Sequence, residues 1–148
     1  MTQPRKTLVV ADLMTEVVMA VYPTDTLDAA RIEMTFGHVR HLPVIDDEAR
    51  VIGLVSQSEL LSTYWRDGTA PVPVGPVMKK ELRLVTAETP IQEAIALMIE
   101  HRVGCLPVVD GAGKLIGLLT ETDFLRYTYR EVAGTDYVTS WERSEIRF

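Results

Sequence analysis

The chain matches itself at a single offset. Moved by 64 positions, residues 13–61 align with 77–125 without a gap. Identical pairs include Met14 and Met78, Ala30 and Ala94, Met34 and Met98, Leu42-Pro43-Val44 and Leu106-Pro107-Val108, and Ile52-Gly53-Leu54 and Ile116-Gly117-Leu118. Ser56 with Thr120 and Glu59 with Asp123 are conservative pairs. An ungapped match of this length means two copies of one supersecondary unit. Two copies are too few for a stacked solenoid, so the pair is expected to close on itself with approximate two-fold symmetry. At 148 residues the chain is then one domain-sized body made of two halves.

Each half reads the same way. Ile91, Ala94, Ile95 and Met98 recur at the spacing of an amphipathic helix that starts after Thr89-Pro90, and Leu27, Ala30 and Met34 repeat the stripe. Leu42-Pro43-Val44-Ile45 and Leu106-Pro107-Val108-Val109 are too short for helices and rich in β-branched residues, which predicts strands. Asp46 to Arg50 and Asp110 to Lys114 are turn sequences, and 51–55 and 115–119 read as return strands. Ser56 and Thr120 then open a second helix in each half, and short strands are expected near 17–22 and 81–86. The predicted fold is α/β (α+β), with a small three-stranded sheet and two helices in each repeat. The expected organisation is a first repeat over 8–66, a linker over 67–76 rich in Pro and Gly, a second repeat over 77–130 and a tail over 131–148.

Charge and length remove several functions. A net charge of −6 leaves no basic face for a nucleic-acid polymer. A (β/α)8 barrel needs about 250 residues. The one cysteine, Cys105, cannot form an internal disulfide, which suits a reducing cytoplasm. No apolar run approaches the ~18 residues that span a bilayer, and residues 1–6 lead into no signal-peptide core, so no membrane association is expected.

Gly117-Leu118-Leu119-Thr120-Glu121-Thr122-Asp123 is the strongest candidate site. Two readings stand beside each other. Thr120 and Asp123 can form a capping box, as can Ser56 and Glu59. Equally, a glycine admits close approach to the backbone, a hydroxyl at a helix start suits a phosphate, and a carboxylate one turn in can accept from both hydroxyls of a ribose. His38, His41 and His101 assemble no ligand set with Cys or carboxylates, so no metal is expected. Met14, Met34, Met78 and Met98 repeat at the same offset and read as core. No P-loop, dinucleotide fingerprint or nucleophile triad is present, which argues against an enzyme and against a resident cofactor.

The doubled pattern of Leu-Pro-Val followed by Ile-Gly and then Ser/Thr-x-x-Glu/Asp resembles a tandem pair of CBS domains, the cystathionine-β-synthase repeat, also called a Bateman module. The resemblance covers about residues 8–130. It implies an adenosyl ligand (AMP, ADP, ATP or S-adenosylmethionine) in a cleft between the repeats and a regulatory role. Carried over residue by residue, one site would join Thr120 and Asp123 to Val18, Met19, Val39 and Arg40. The pseudo-symmetric site would join Ser56 and Glu59 to Leu82, Arg83, Val103 and Gly104. Glu59 stands where the family has Asp, so its extra methylene misplaces the carboxylate and the Asp123 site is expected to be the better one. Arg40 and His41, opposed by Gly104 and Cys105 in the other copy, are expected to supply phosphate-compensating charge to that site. The resemblance further implies a homodimer. With nearly all of the sequence in the repeats, the output is expected to pass to another protein. The competing expectation is a dimerising scaffold with an empty cleft. Half of the aromatics, including Tyr127, Tyr129, Tyr137, Trp141 and Phe148, fall from residue 126 onward, as a segment packed on its own module or as a partner contact.

Overall fold

A computed structural model describes residues 7–16, 19–64, 71–140 and 142. The order is α1 (Val10–Leu13), α2 (Leu27–Gly37), β1 (His41–Ile45), β2 (Val51–Ser56), α3 (Gln57–Tyr64), α4 (Ile91–His101), β3 (Cys105–Val109), β4 (Leu115–Thr120) and α5 (Glu121–Ala133). β1 pairs antiparallel with β2, and β3 with β4, each with a bulge one residue before the turn. Both sheets obey the offset of 64, down to Leu42 opposite Val55 and Leu106 opposite Leu119.

The third strand of each half shrinks to a single parallel bridge, Val21 with Val44 and Val85 with Val108. Proline explains why. The Val21 amide donates to the Pro43 carbonyl at 3.0 Å, and the Ile45 amide donates back to Val21 at 2.9 Å. The next bond of a parallel ladder would run from residue 43 to the carbonyl of Met19, and proline has no N–H to give. Pro107 ends the ladder at Arg83 in the same way. Val17 and Val18, where the first of these strands was expected to start, lie outside the described residues.

Each core is closed by the segment that precedes the other repeat. Val74, from the stretch between the repeats, is fully buried with Val21, Leu27, Ala30, Leu42 and Val55. Val10, from the start of the chain, is fully buried with Val85, Ala94, Leu106, Val108 and Leu119. Backbone bonds fix both insertions: Val10 donates to Thr89 at 2.9 Å, and Val74 donates to Asp25 at 2.8 Å. The described part of the Pro- and Gly-rich stretch is therefore irregular, but it is packed rather than loose. Burying one valine contributes about 1.5–3 kcal/mol, so each segment is tied to the half it enters.

The halves also meet at their hairpin turns. Arg50 and Lys114 form an antiparallel bridge. Val51 donates to Gly113 at 3.2 Å and Leu115 donates to Ala49 at 3.0 Å, a reciprocal pair in which 49 and 113, and 51 and 115, are equivalents. The pseudo-two-fold axis passes between these bonds. Ala49 there has a φ of 64°, where the second copy carries Gly113 at 81°. Helix ends follow local chemistry. Thr26 caps α2 by accepting from Ala29 at 3.1 Å, and Pro90 occupies the N-cap of α4 rather than its first turn.

Candidate functional site

Thr120 ends β4 and Asp123 sits in the first turn of α5. The Asp123 carboxylate spends one oxygen on its own helix start: Oδ2 accepts from the Thr120 amide at 2.8 Å and its hydroxyl at 3.3 Å. Oδ1 accepts from the Thr15 hydroxyl at 3.0 Å. Thr15 is held there by reciprocal backbone bonds with Leu118, at 2.9 and 3.0 Å. Burial pushes the Asp123 acid above the usual carboxylate range, although the Thr120 and Thr15 bonds and the nearby Arg126 guanidinium oppose the rise.

The mirror arrangement differs in one partner. Glu59 Oε2 accepts from the Ser56 amide at 2.5 Å and from the Ser56 hydroxyl. Its Oε1 faces the Lys79 ammonium at 3.1 Å. Lys79 is the equivalent of Thr15, and it is fixed by the same reciprocal bonds, here to Leu54 at 2.8 and 3.0 Å. Burial works to raise the Glu59 acid, but the Ser56 bonds and the Lys79 charge together hold it below its ordinary value. Two equivalent carboxylates therefore shift in opposite directions.

The remaining expected residues fall around these two centres. Met19 lies against Gly37, where a Cβ would collide with its Sδ, and both Met19 and Val39 pack on the first core. Arg83, the equivalent of Met19, instead places its guanidinium 3.4 Å from Nδ1 of His101. Leu82 is half-buried, and Val103 packs on the second core. A Cβ on Gly104 would lie 3.5 Å from His41 Cε1 and 3.5 Å from the Glu121 carboxyl carbon. The Arg40 side chain is exposed, and its carbonyl accepts from Gln57 at 2.9 Å, within its own half. Val18 lies outside the described residues.

His41 feels the charges of Glu59, Glu121, Lys79 and Arg40, with burial, the largest cause, holding its imidazole below the ordinary value. Arg126, one turn further along α5, is a cation acting on Asp123. Both residues line an open depression with Asp12, Leu13, Tyr127, Arg130 and Asp136. One expectation changes. Gly117 was to admit a ligand to the backbone, but Met14 covers it. A Cβ there would sit 2.8 Å from the Met14 Sδ and 3.1 Å from the Thr15 carbonyl, and Met78 covers Gly53 likewise. These glycines serve methionine packing.

Cys105 is buried opposite Thr120, and burial pushes its thiol far above the usual range, with Asp123 adding to the rise. Among the described residues, no group of three or more His, Cys, Asp or Glu side chains could hold a metal. No helix among them is long and apolar enough to cross a membrane. After α5, two described residues pack back on that helix: Arg126 donates to Glu142 at 2.9 Å, and the Tyr129 and Tyr137 rings meet edge-on at 5.1 Å. Trp141 and Phe148 lie outside the described residues.

The CBS domain model matches twice, over residues 10–66 and 74–130. The chain belongs to the CBS domain family. Its two copies make it a tandem CBS pair. The CBS-pair protein CBSX2 from Arabidopsis thaliana is similar at 31% identity, with a TM-score of 0.75 over 88% of this chain and all of that one. A structure of CBSX2 in complex with AMP matches at 32% identity and a TM-score of 0.75, over 84% of this chain and 98% of that one. Inosine-5'-monophosphate dehydrogenase of Methanocaldococcus jannaschii is 32% identical over 109 residues, which is 74% of this chain and 21% of that protein. The chain thus spans about a fifth of the length of that enzyme.

Proposed function

We propose that this CBS pair is a regulatory module that binds an adenosyl ligand, and that the Asp123 centre is its main ligand-binding site. The observation that carries the reading is the state of the Asp123 carboxylate. Its Oδ1 is met by the Thr15 hydroxyl, a group that can both donate and accept. A ribose diol can therefore join that oxygen without opposing an ion pair. Hydrogen bonds to a carboxylate contribute about 1.5–3 kcal/mol each, so a diol could gain several kcal/mol here. Arg126, one helical turn away, lines the same depression and is paired with Glu142 at 2.9 Å. The similar CBSX2 has been solved with AMP, which makes AMP the first ligand to test.

A ligand that touches both halves favours the arrangement it fits, and it moves the module only by its differential affinity for two states. No chemical step is required of the protein. The output passes to a separate protein, and the module works as a homodimer. Phe36, Leu61, Ile99 and Leu125 are exposed on the helices and give apolar surface for that contact. The Glu59–Lys79 pair favours a second reading for that half alone, a closed cleft with a scaffolding role.

Thermal melting with AMP, ADP, ATP and S-adenosylmethionine tests the reading. A true ligand should stabilise the fold by about 2.7 kcal/mol at a hundredfold excess over its Kd. The absence of a shift with all four would leave the scaffold.

A further inference from the structure

We propose that Lys79 decides how many nucleotides the chain takes, by filling with its own ammonium the place where a ribose would meet Glu59. This inference rests on the nucleotide-binding reading above. The two centres share their strand ends, their helix starts, their capping bonds and the backbone bonds that present residue 15 or 79. They differ in what residue 15 or 79 offers to the second carboxylate oxygen. Thr15 offers a hydroxyl at 3.0 Å and Lys79 an ammonium at 3.1 Å.

The chemistry of the two groups is not equivalent. A hydroxyl carries one donor and two acceptor lone pairs, so it can turn and accept from an incoming ribose hydroxyl while the carboxylate accepts from the other. An ammonium has three donors and no acceptor. A neutral diol arriving at Glu59 must compete with a charge-assisted bond, and it gains no new acceptor in return. The Lys79 side chain is largely exposed and Glu59 largely buried, so the ammonium meets the carboxylate from the solvent side. The surroundings also differ: Met19 covers Gly37 in one half, and Arg83 reaches His101 in the other. Lys79 is then a residue that limits the chain to one nucleotide even where the carboxylate at position 59 is that of aspartate.

Isothermal titration of the full chain with AMP separates the possibilities. The wild type is expected to bind one AMP per chain, and E59D also one. The double variant E59D/K79T should bind two. T15K, which copies the lysine into the other half, should lower affinity at least tenfold, with circular dichroism confirming that it folds. Two AMP per chain in the wild type or in E59D would overturn the proposal, as would one per chain in E59D/K79T. AMP affinity unchanged in T15K would overturn it too. In each of those cases loss of AMP in Asp123→Ala would leave the nucleotide reading intact. No binding to any variant would remove both.

Discussion

Ala49 lies where the two hairpins touch, and its backbone conformation invites a direct test. Its φ of 64° is left-handed, a region that costs an L-residue about 1–2 kcal/mol. Glycine removes that strain but loses about 0.5–1 kcal/mol through its freer unfolded chain. Ala49→Gly is therefore expected to stabilise the fold by a net ~0.5–1 kcal/mol. Little else changes, because Ala49 is exposed and its carbonyl keeps the 3.0 Å bond from Leu115. Gly113 supplies the reverse experiment at the equivalent position. A Cβ there would meet only Arg50 Cγ at 3.9 Å, an ordinary contact, so Gly113→Ala should lose a similar amount through backbone strain alone. Urea denaturation reads both energies, and in a chain of this size they correspond to Tm changes of about 1–4 °C in opposite directions. A neutral Gly113→Ala, or a destabilising Ala49→Gly, would refute the reasoning from φ.

Three further outcomes are expected. Leu106→Ala should lose about 2–5 kcal/mol in chemical denaturation, because the side chain is fully buried and leaves a cavity, and Leu42→Ala should match it by symmetry. Stability against pH should separate the two carboxylates. Asp123 titrates higher in the fold than in the unfolded chain, so it lowers stability as pH rises between those two values, and Asp123→Asn should flatten that fall. Glu59 titrates lower in the fold, so its contribution is present above its unfolded value and is lost as pH falls through the folded one. Glu59→Gln should then destabilise at neutral pH and not in strong acid. Cys105, buried and with its thiol raised, should resist a thiol reagent in the native protein and react once the chain is unfolded.

Most of the fold was legible because its causes are local. The apolar stripes of α2 and α4, the Leu-Pro-Val strands and the turns between them declare themselves by period and residue type. What escaped was non-local. Val10 and Val74 are identical residues at the same offset, yet nothing in their neighbourhood says that each enters the core of the half it does not precede. The prolines were read as strand residues, but their missing N–H also trims the third strand to one bridge. At the candidate site, the Ser/Thr-x-x-Glu/Asp pattern placed both carboxylates at a helix start, and each is bonded there to its Ser or Thr. Their other partners were missed. Thr15 and Lys79 were visible in the alignment as an unlike pair beside two identical methionines, but only the bridges to Leu118 and Leu54 place them over Asp123 and Glu59. The reading of Gly117 as an opening failed for a related reason, since the residue that fills its space, Met14, is distant in sequence.

The central claim is that Asp123 holds the ligand. Titration of AMP into the wild type, Asp123→Ala and Glu59→Ala tests it most directly. Loss of even one hydrogen bond to the charged carboxylate should weaken binding about tenfold or more in Asp123→Ala, while Glu59→Ala binds as the wild type does. Unchanged affinity in Asp123→Ala together with lost binding in Glu59→Ala would contradict the account.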